Sequence, residues 1–158
     1  PYIENLKLEN LTISAPDMGG SKRANAYSRH LQSEMVLCYK LRKKPNVVEE
    51  MSIIGDVEDR NVVIIDDMVD TAGTLVLAAQ KMKEKRARSI RAFATHPILS
   101  GNAIDRINDS PIEKLVVTDS LPLSRPSEKI KVLSIAEIFA NTILAVNNNQ
   151  SISTNFVF

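Results

Sequence analysis

The sequence is short of the groups that cross-links and structural metal sites need. Cys38 is its only cysteine, so no internal disulfide can form, and the expectation is a reducing, cytoplasmic setting. One cysteine and two histidines are too few soft ligands for a structural zinc site. No apolar run approaches the roughly 20 residues of a membrane-spanning helix, and no signal-peptide pattern is seen. Neither sign of charge dominates. Twenty basic residues against nineteen acidic ones give a net charge of +1, so no global field favours nucleic acid. Neither a membrane nor a nucleic acid is therefore expected as a partner. The one local exception is the run Lys40-Leu41-Arg42-Lys43-Lys44. Repeats and low-complexity tracts are missing as well.

What the chain has is size and alternation. Its 158 residues, 44% hydrophobic and 25% charged, suffice for one compact domain, expected over 1–158. It opens on Pro1-Tyr2-Ile3 without an initiator methionine, the expectation for a fragment or a processed product. Residues 11–15 read as a strand. Gly19-Gly20 then opens a helix over about 21–32, with Ala24, Tyr27 and Leu31 on one face. Residues 35–39 read as an apolar strand, 40–48 as a basic loop with Pro45, 52–55 as a short strand and 61–65 as the clearest buried strand. Leu75, Ala78, Ala79 and Met82 give helical spacing over 74–86. Strands over 90–95, 115–118 and 130–133 follow, the last expected as an inner strand. Further helices fall over 101–109 and 135–146, and Ser134 with Glu137 predicts a capping box on the second. The tail, 151–158, is β-prone. Such alternation predicts an α/β fold with a mainly parallel sheet flanked by helices. Ligands of such sheets sit beyond the carboxyl ends of the strands, which puts 16–20, 66–74 and 96–101 on one rim.

Chemistry concentrates in the stretch VVIIDDMVDTAGTL, residues 62–75. The sequence ends a strand at Ile65 and starts a helix at Thr74. The amides of Asp70, Thr71, Ala72, Gly73 and Thr74 then lie at a helix start without intrahelical partners, where they suit a phosphate. Gly73 permits close approach, and the Thr71 and Thr74 hydroxyls add donors. Asp66 and Asp67 cannot face the same anion, so they face hydroxyls or a cation. A sugar phosphate offers both ends. Taken singly, each residue is more simply a helix cap or a solvated acid. An unpaired acidic pair at the rim of a buried strand, however, is costly unless it is used. The loop lacks both the Gly-Lys-Ser/Thr of a Walker A motif and the Gly-x-Gly-x-x-Gly of a dinucleotide site.

Asp66-Asp67-Met68-Val69-Asp70-Thr71-Ala72-Gly73-Thr74 resembles the loop that binds 5-phosphoribosyl 1-diphosphate (PRPP) in the type I phosphoribosyltransferase superfamily. Other segments resemble the ribose-phosphate pyrophosphokinase family: Ser14-Ala15-Pro16-Asp17-Met18-Gly19-Gly20-Ser21-Lys22-Arg23-Ala24, Tyr39-Lys40-Leu41-Arg42, Thr95-His96-Pro97-Ile98-Leu99-Ser100-Gly101 and Val117-Thr118-Asp119-Ser120. So does the tail, Ser151-Ile152-Ser153 with Phe156. The likeness runs in order over nearly the whole chain, to the second of that family's two α/β domains. The family's first domain supplies much of the ATP site and a magnesium-holding histidine, and has no counterpart here.

The resemblance implies a type I phosphoribosyltransferase-like fold, Mg2+ as cofactor, ATP and ribose 5-phosphate as partners, and assembly as a homo-oligomer. It implies transfer of the β,γ-diphosphoryl group of ATP to the 1-hydroxyl of ribose 5-phosphate, giving AMP and PRPP for nucleotide biosynthesis. This chain alone is expected to bind ribose 5-phosphate weakly and to make no PRPP. The resemblance puts the 5-phosphate on Asp70, Thr71, Ala72, Gly73 and Thr74, the ribose hydroxyls on Asp66 and Asp67, and a magnesium contact on Asp17. It puts catalytic Lys40 and Arg42 on a mobile loop, and Ser151 and Ser153 at an allosteric nucleotide phosphate. Without it, Lys40 and Arg42 read as solvated cations, Asp17 as a turn residue, His96 as a loop residue near the site and Cys38 as inert core. Two other readings stand beside the enzyme: a non-catalytic regulatory module associated with it, and a phosphoribosyltransferase that consumes PRPP. Lys40 and Arg42 favour the enzyme, and no segment looks like a nucleobase hood.

Overall fold

Val62, Val63, Ile64 and Ile65 form an unbroken aliphatic run, and a strand with both faces buried needs one. The computed structural model, which describes residues 1–41 and 50–153, places that run at the centre of a sheet. Helix α1 (Tyr2–Asn5) precedes strand β1 (Leu11–Ala15); a short 3-10 turn, Met18–Gly20, leads into α2 (Ser21–His30). Then come β2 (Glu34–Leu41), β3 (Glu50–Ile54), β4 (Asn61–Val69), α3 (Gly73–Glu84), β5 (Ser89–Pro97) and α4 (Ala103–Asn108). Strands β6 (Lys114–Thr118) and β7 (Ile130–Leu133) and helix α5 (Ala136–Asn147) complete the described chain. The sheet order is β3-β2-β1-β4-β5-β6-β7. All neighbours are parallel except the antiparallel β2–β3 pair. The mainly parallel α/β sheet expected from the sequence is the one observed.

The period of two along β4 splits the core between the faces. Val62 and Ile64 join a large cluster with Leu75, Ala78, Ala79 and Met82 of α3, the four positions that the helical spacing picked out. Val63 and Ile65 join a smaller cluster with Ile13, Ala15 and Ala24 under α2. Helices α2 and α3 therefore leave β1 and β4 toward opposite faces. The chain leads from β1 to β2 on one side and from β4 to β5 on the other, so β1 and β4 flank a topological switch point. A crevice opens at such a point beyond the carboxyl ends of the strands.

Several boundaries differ from the sequence expectation. Strand β4 continues past Ile65 through both acids to Val69, because β5 goes on pairing it: Asp66 lies opposite Ala94, Met68 opposite His96 and Val69 opposite Pro97. His96 and Pro97 are thus strand rather than loop. Lys40 and Leu41 extend β2 and pair with Met51 and Glu50, so the basic stretch begins as a hairpin arm rather than a loop. On α2 the buried residues are Ala24 and Ser28, while Tyr27 stays exposed. Strand β7 is an edge strand, not an inner one. At the start of α5, Ser134 Oγ accepts the Ala136 amide at 3.3 Å. The companion contact, however, is Asp119 Oδ1 accepting the Ile135 amide at 3.0 Å, in place of the expected Glu137. Arg42 and residues 154–158, Phe156 among them, lie outside the described residues.

Candidate functional site

A cleft of about 170 Å3 sits at the switch point, lined by Asp17, Asp66 and residues 68–75. It is smaller than the roughly 300 Å3 at which drug-sized pockets begin, a scale that suits a small ligand. A larger cavity, about 590 Å3, lies at the opposite ends of the strands among Leu11, Glu34 and Arg60. Volume alone would choose that cavity. The chemistry chooses the smaller cleft, because charged groups and free amides converge there.

The amide side is a turn of backbone. Ala72 stands before α3 with φ +60°, in the left-handed region where a non-glycine residue costs roughly 1–2 kcal/mol. Its buried methyl packs in the large core cluster, which fixes the turn. Val76 donates the first intrahelical bond, to the Ala72 carbonyl at 2.9 Å. The Gly73, Thr74 and Leu75 amides precede that bond and stand at the positive end of the helix dipole. Helix α3 thus starts one residue before the sequence expectation, at Gly73.

Two side chains hold this turn from outside. Arg106, on α4, donates from Nη1 to the Thr71 carbonyl at 3.0 Å. Ser100 donates its amide to the Asp70 carbonyl at 3.0 Å and its hydroxyl to Asp70 Oδ1. The segment 98–101 therefore packs against the loop as the shared rim required. Asp70 is consequently a tether, and its carboxylate is an acceptor that faces no anion.

The acid side is built from side chains. Asp66 lines the cleft and is 25% exposed; Asp67, 53% exposed, is not part of that lining, and one guanidinium reaches both. Arg23 Nη1 lies 3.3 Å from Asp66 Oδ1, and Nη2 lies 3.1 Å from Asp67 Oδ2. Asp66 Oδ1 also accepts the Asp67 amide at 2.9 Å, and Asp67 Oδ1 accepts the Met68 amide at 3.0 Å. Burial, with the neighbouring Asp67 carboxyl, pushes Asp66 up to about 6 against the opposing pull of Arg23. The hydrogen bond from Asp66 holds Asp67 below the usual carboxylate range. The two acids thus titrate apart, a pattern common at sites of function. The pair, unpaired as far as the sequence shows, is in fact held by Arg23. A lone arginine on the first turns of a helix carries no local signal; only the crossing of α2 over β4 brings it to the acids.

The other expected site residues are scattered. Asp17 caps the 3-10 turn, its Oδ1 accepting the Gly20 amide at 3.2 Å, and lines the cleft. Lys40, on the β2 arm, is not part of the cleft lining. His96 pairs through Nδ1 with the Ser120 hydroxyl at 3.0 Å and also lies outside that lining. Ser151 and Ser153 are exposed and share a hydroxyl contact at 2.9 Å. Cys38 is fully buried, and burial raises its thiol, as suits an inert core residue. Among the described residues no group of three or more His, Cys, Asp or Glu side chains comes together to hold a metal, and no helix is long and apolar enough to cross a membrane.

The fold and the cleft together define a class: an α/β sheet with a phosphate-type turn and an acidic pair at its switch point. The adenine phosphoribosyltransferase of Thermoanaerobacter pseudethanolicus shares the fold over 73% of this chain and 76% of its own, with a TM-score of 0.51 and 18% identity. The phosphoribosylpyrophosphate synthetase of Mycobacterium smegmatis is far nearer, with a TM-score of 0.82 and 30% identity over 89% of this chain and 46% of its own. The family described as "Phosphoribosyl synthetase-associated domain" matches residues 19–157, and the chain belongs to it. The ribose-phosphate pyrophosphokinase of Porphyromonas gingivalis is 48% identical over 158 residues, 99% of this chain and 50% of the relative. The chain spans about half the length of the curated relatives it matches.

Proposed function

We propose that this chain supplies the ribose 5-phosphate site of a ribose-phosphate pyrophosphokinase, a cytoplasmic magnesium-dependent homo-oligomer whose companion half binds most of the ATP. In this reading residues 1–158 are one domain of that enzyme. The observation that carries the reading is the two-sided cleft: free amides at the start of α3 facing Asp66 in the same lining, with Asp67 held beside Asp66 by the shared Arg23 guanidinium. The 5-phosphate takes the Gly73, Thr74 and Leu75 amides and the Thr71 and Thr74 hydroxyls. The ribose hydroxyls donate to Asp66 and Asp67. Asp70 belongs to this set through its main chain, with its carboxylate tied to Ser100.

The residues present fit magnesium in one particular way. The ion keeps several waters and takes one or two carboxylates together with substrate phosphates. Asp17, fixed at the cleft edge by its bond to Gly20, meets that sparse demand without a protein cage. When bound, the ion supplies charge neutralisation on the ATP phosphates. Diphosphoryl transfer is otherwise positioning and electrostatic stabilisation. Lys40 on the β2 arm and Arg42, which lies outside the described residues, are the cations assigned to the migrating group. Ser151 and Ser153 are assigned to a regulatory nucleotide phosphate at a subunit boundary.

A non-catalytic binding module is the second reading, and the exclusion of Lys40 from the cleft lining favours it. AMP release by a two-half enzyme containing this domain separates the two. Lys40→Ala is expected to lose roughly 3–4 kcal/mol of barrier stabilisation, the scale of one lost oxyanion donor. Unchanged turnover would remove Lys40 from the mechanism. For the cleft itself the test is calorimetry of the 158-residue chain with ribose 5-phosphate, where equal heats for the parent and Asp66→Asn would exclude the site.

A further inference from the structure

The acidic pair has a keeper on another element, and the fold goes to some length to bring it there. Gly20 ends the 3-10 turn against the tip of β1, and a Cβ on it would meet Ala15 Cβ at 3.0 Å. It would also stand 3.9 Å from both Arg23 Nη1 and the Ile65 carbonyl. The missing side chain thus lets α2 begin directly over the end of β4. Arg23, one turn into α2, then reaches across to the strand at Asp66 and Asp67. A guanidinium presents its donors in a rigid planar fork, and each arm here takes a different carboxylate. The Asp67 amide shares Asp66 Oδ1 with the guanidinium, and the Met68 amide fixes the other oxygen of Asp67, Oδ1.

We propose that Arg23 is a positioning residue for the sugar end of the cleft: its fork sets the mutual orientation of the Asp66 and Asp67 carboxylates, and so their fit to two adjacent hydroxyls of a pentose. This deepens the proposed function and rests on its assignment of the pair to ribose. Consecutive strand residues ordinarily point to opposite faces of a sheet. Two acids in sequence serve one ligand only if something pulls them into register, and Arg23 does so. Lysine cannot replace it, because a single ammonium offers no matched pair of arms. Arg23 from α2 is the cation on the pair, while Asp17 from the turn before α2 and Asp70 beyond the end of β4 line the cleft with Asp66.

The test uses the 158-residue chain with Arg23→Met and Arg23→Lys, each checked for an unchanged melting profile. Calorimetry with ribose 5-phosphate is run beside inorganic phosphate, and the carboxyl carbons of Asp66 and Asp67 are titrated by NMR. The expected result for Arg23→Met is an affinity for ribose 5-phosphate about tenfold lower, with phosphate binding unmoved. Arg23→Lys falls between, and in both variants the Asp66 midpoint moves up as its cation is lost or displaced. A wild-type affinity for ribose 5-phosphate in Arg23→Met overturns the proposal. A parent that binds no ribose 5-phosphate at all sinks the sugar assignment instead. The carboxyl titrations then decide for Arg23: shifted midpoints keep it as the organiser of the pair, and unmoved ones overturn that too.

Discussion

The two sides of the cleft are made of different material. One is backbone: amides set by a left-handed Ala72 and held from outside by Arg106 and Ser100. The other is side chain: two carboxyls set by one guanidinium. The backbone side keeps its amide donors when a side chain changes, so a single substitution there removes at most one hydroxyl or loosens the turn. The carboxyl side can lose its chemistry to a single atom's exchange. A ligand with one anionic end and one hydroxylated end should therefore report the two sides separately.

The largest effect expected is from Asp66→Asn, which removes a charged acceptor and leaves the turn alone. Affinity for ribose 5-phosphate should fall about 10- to 100-fold by calorimetry, with inorganic phosphate unaffected. Thr71→Ala acts on the other side. It should weaken ribose 5-phosphate and inorganic phosphate by the same factor, about two- to tenfold. A selective loss of the sugar phosphate there would erase the distinction between the sides. Arg106→Met leaves the Thr71 carbonyl without its donor. Removal of one such bond should cost about 1 kcal/mol, or roughly 2–4 °C in melting temperature, and weaken both ligands together.

The smallest effect is a slope. Asp66 titrates higher in the folded chain than in the unfolded one, near 6 against 3.8, so the folded state binds its proton more tightly. Stability should then rise as pH falls through about 6 toward 4. Asp67 is shifted the other way: its contribution is present above 3.8 and is lost only as pH falls further. Chemical denaturation of the parent and Asp66→Asn across pH 4–7 checks this. The variant should be flatter, and parallel curves would mean the Asp66 carboxyl is not the group responsible.

The sequence shows what repeats locally and hides what meets across the fold. The run from Val62 to Ile65 and the spacing of Leu75, Ala78, Ala79 and Met82 each carry a period, and both elements lie where that period put them. The extension of β4 through Asp66 and Asp67 carries none. Acids lower strand propensity, and only the pairing with β5 keeps them extended. The same is true of Lys40, whose strand is decided by its partner Met51. The loop chemistry was legible because Thr71, Ala72, Gly73 and Thr74 are consecutive. Arg23 was not, because 43 residues separate it from Asp66. Helix α5 marks a further limit: the apolar side chains of Ile138, Phe139, Ile143, Leu144 and Val146 all stay exposed in this chain. Burial is a property of neighbours, and a single sequence does not list them.

A crystal structure of the chain with ribose 5-phosphate decides where the sugar phosphate sits. The phosphate is expected on the Gly73, Thr74 and Leu75 amides, with ring hydroxyls within hydrogen-bond distance of both Asp66 and Asp67. Density for the sugar phosphate at the opposite rim near Glu34 and Arg60, with the α3 turn bare, would contradict it.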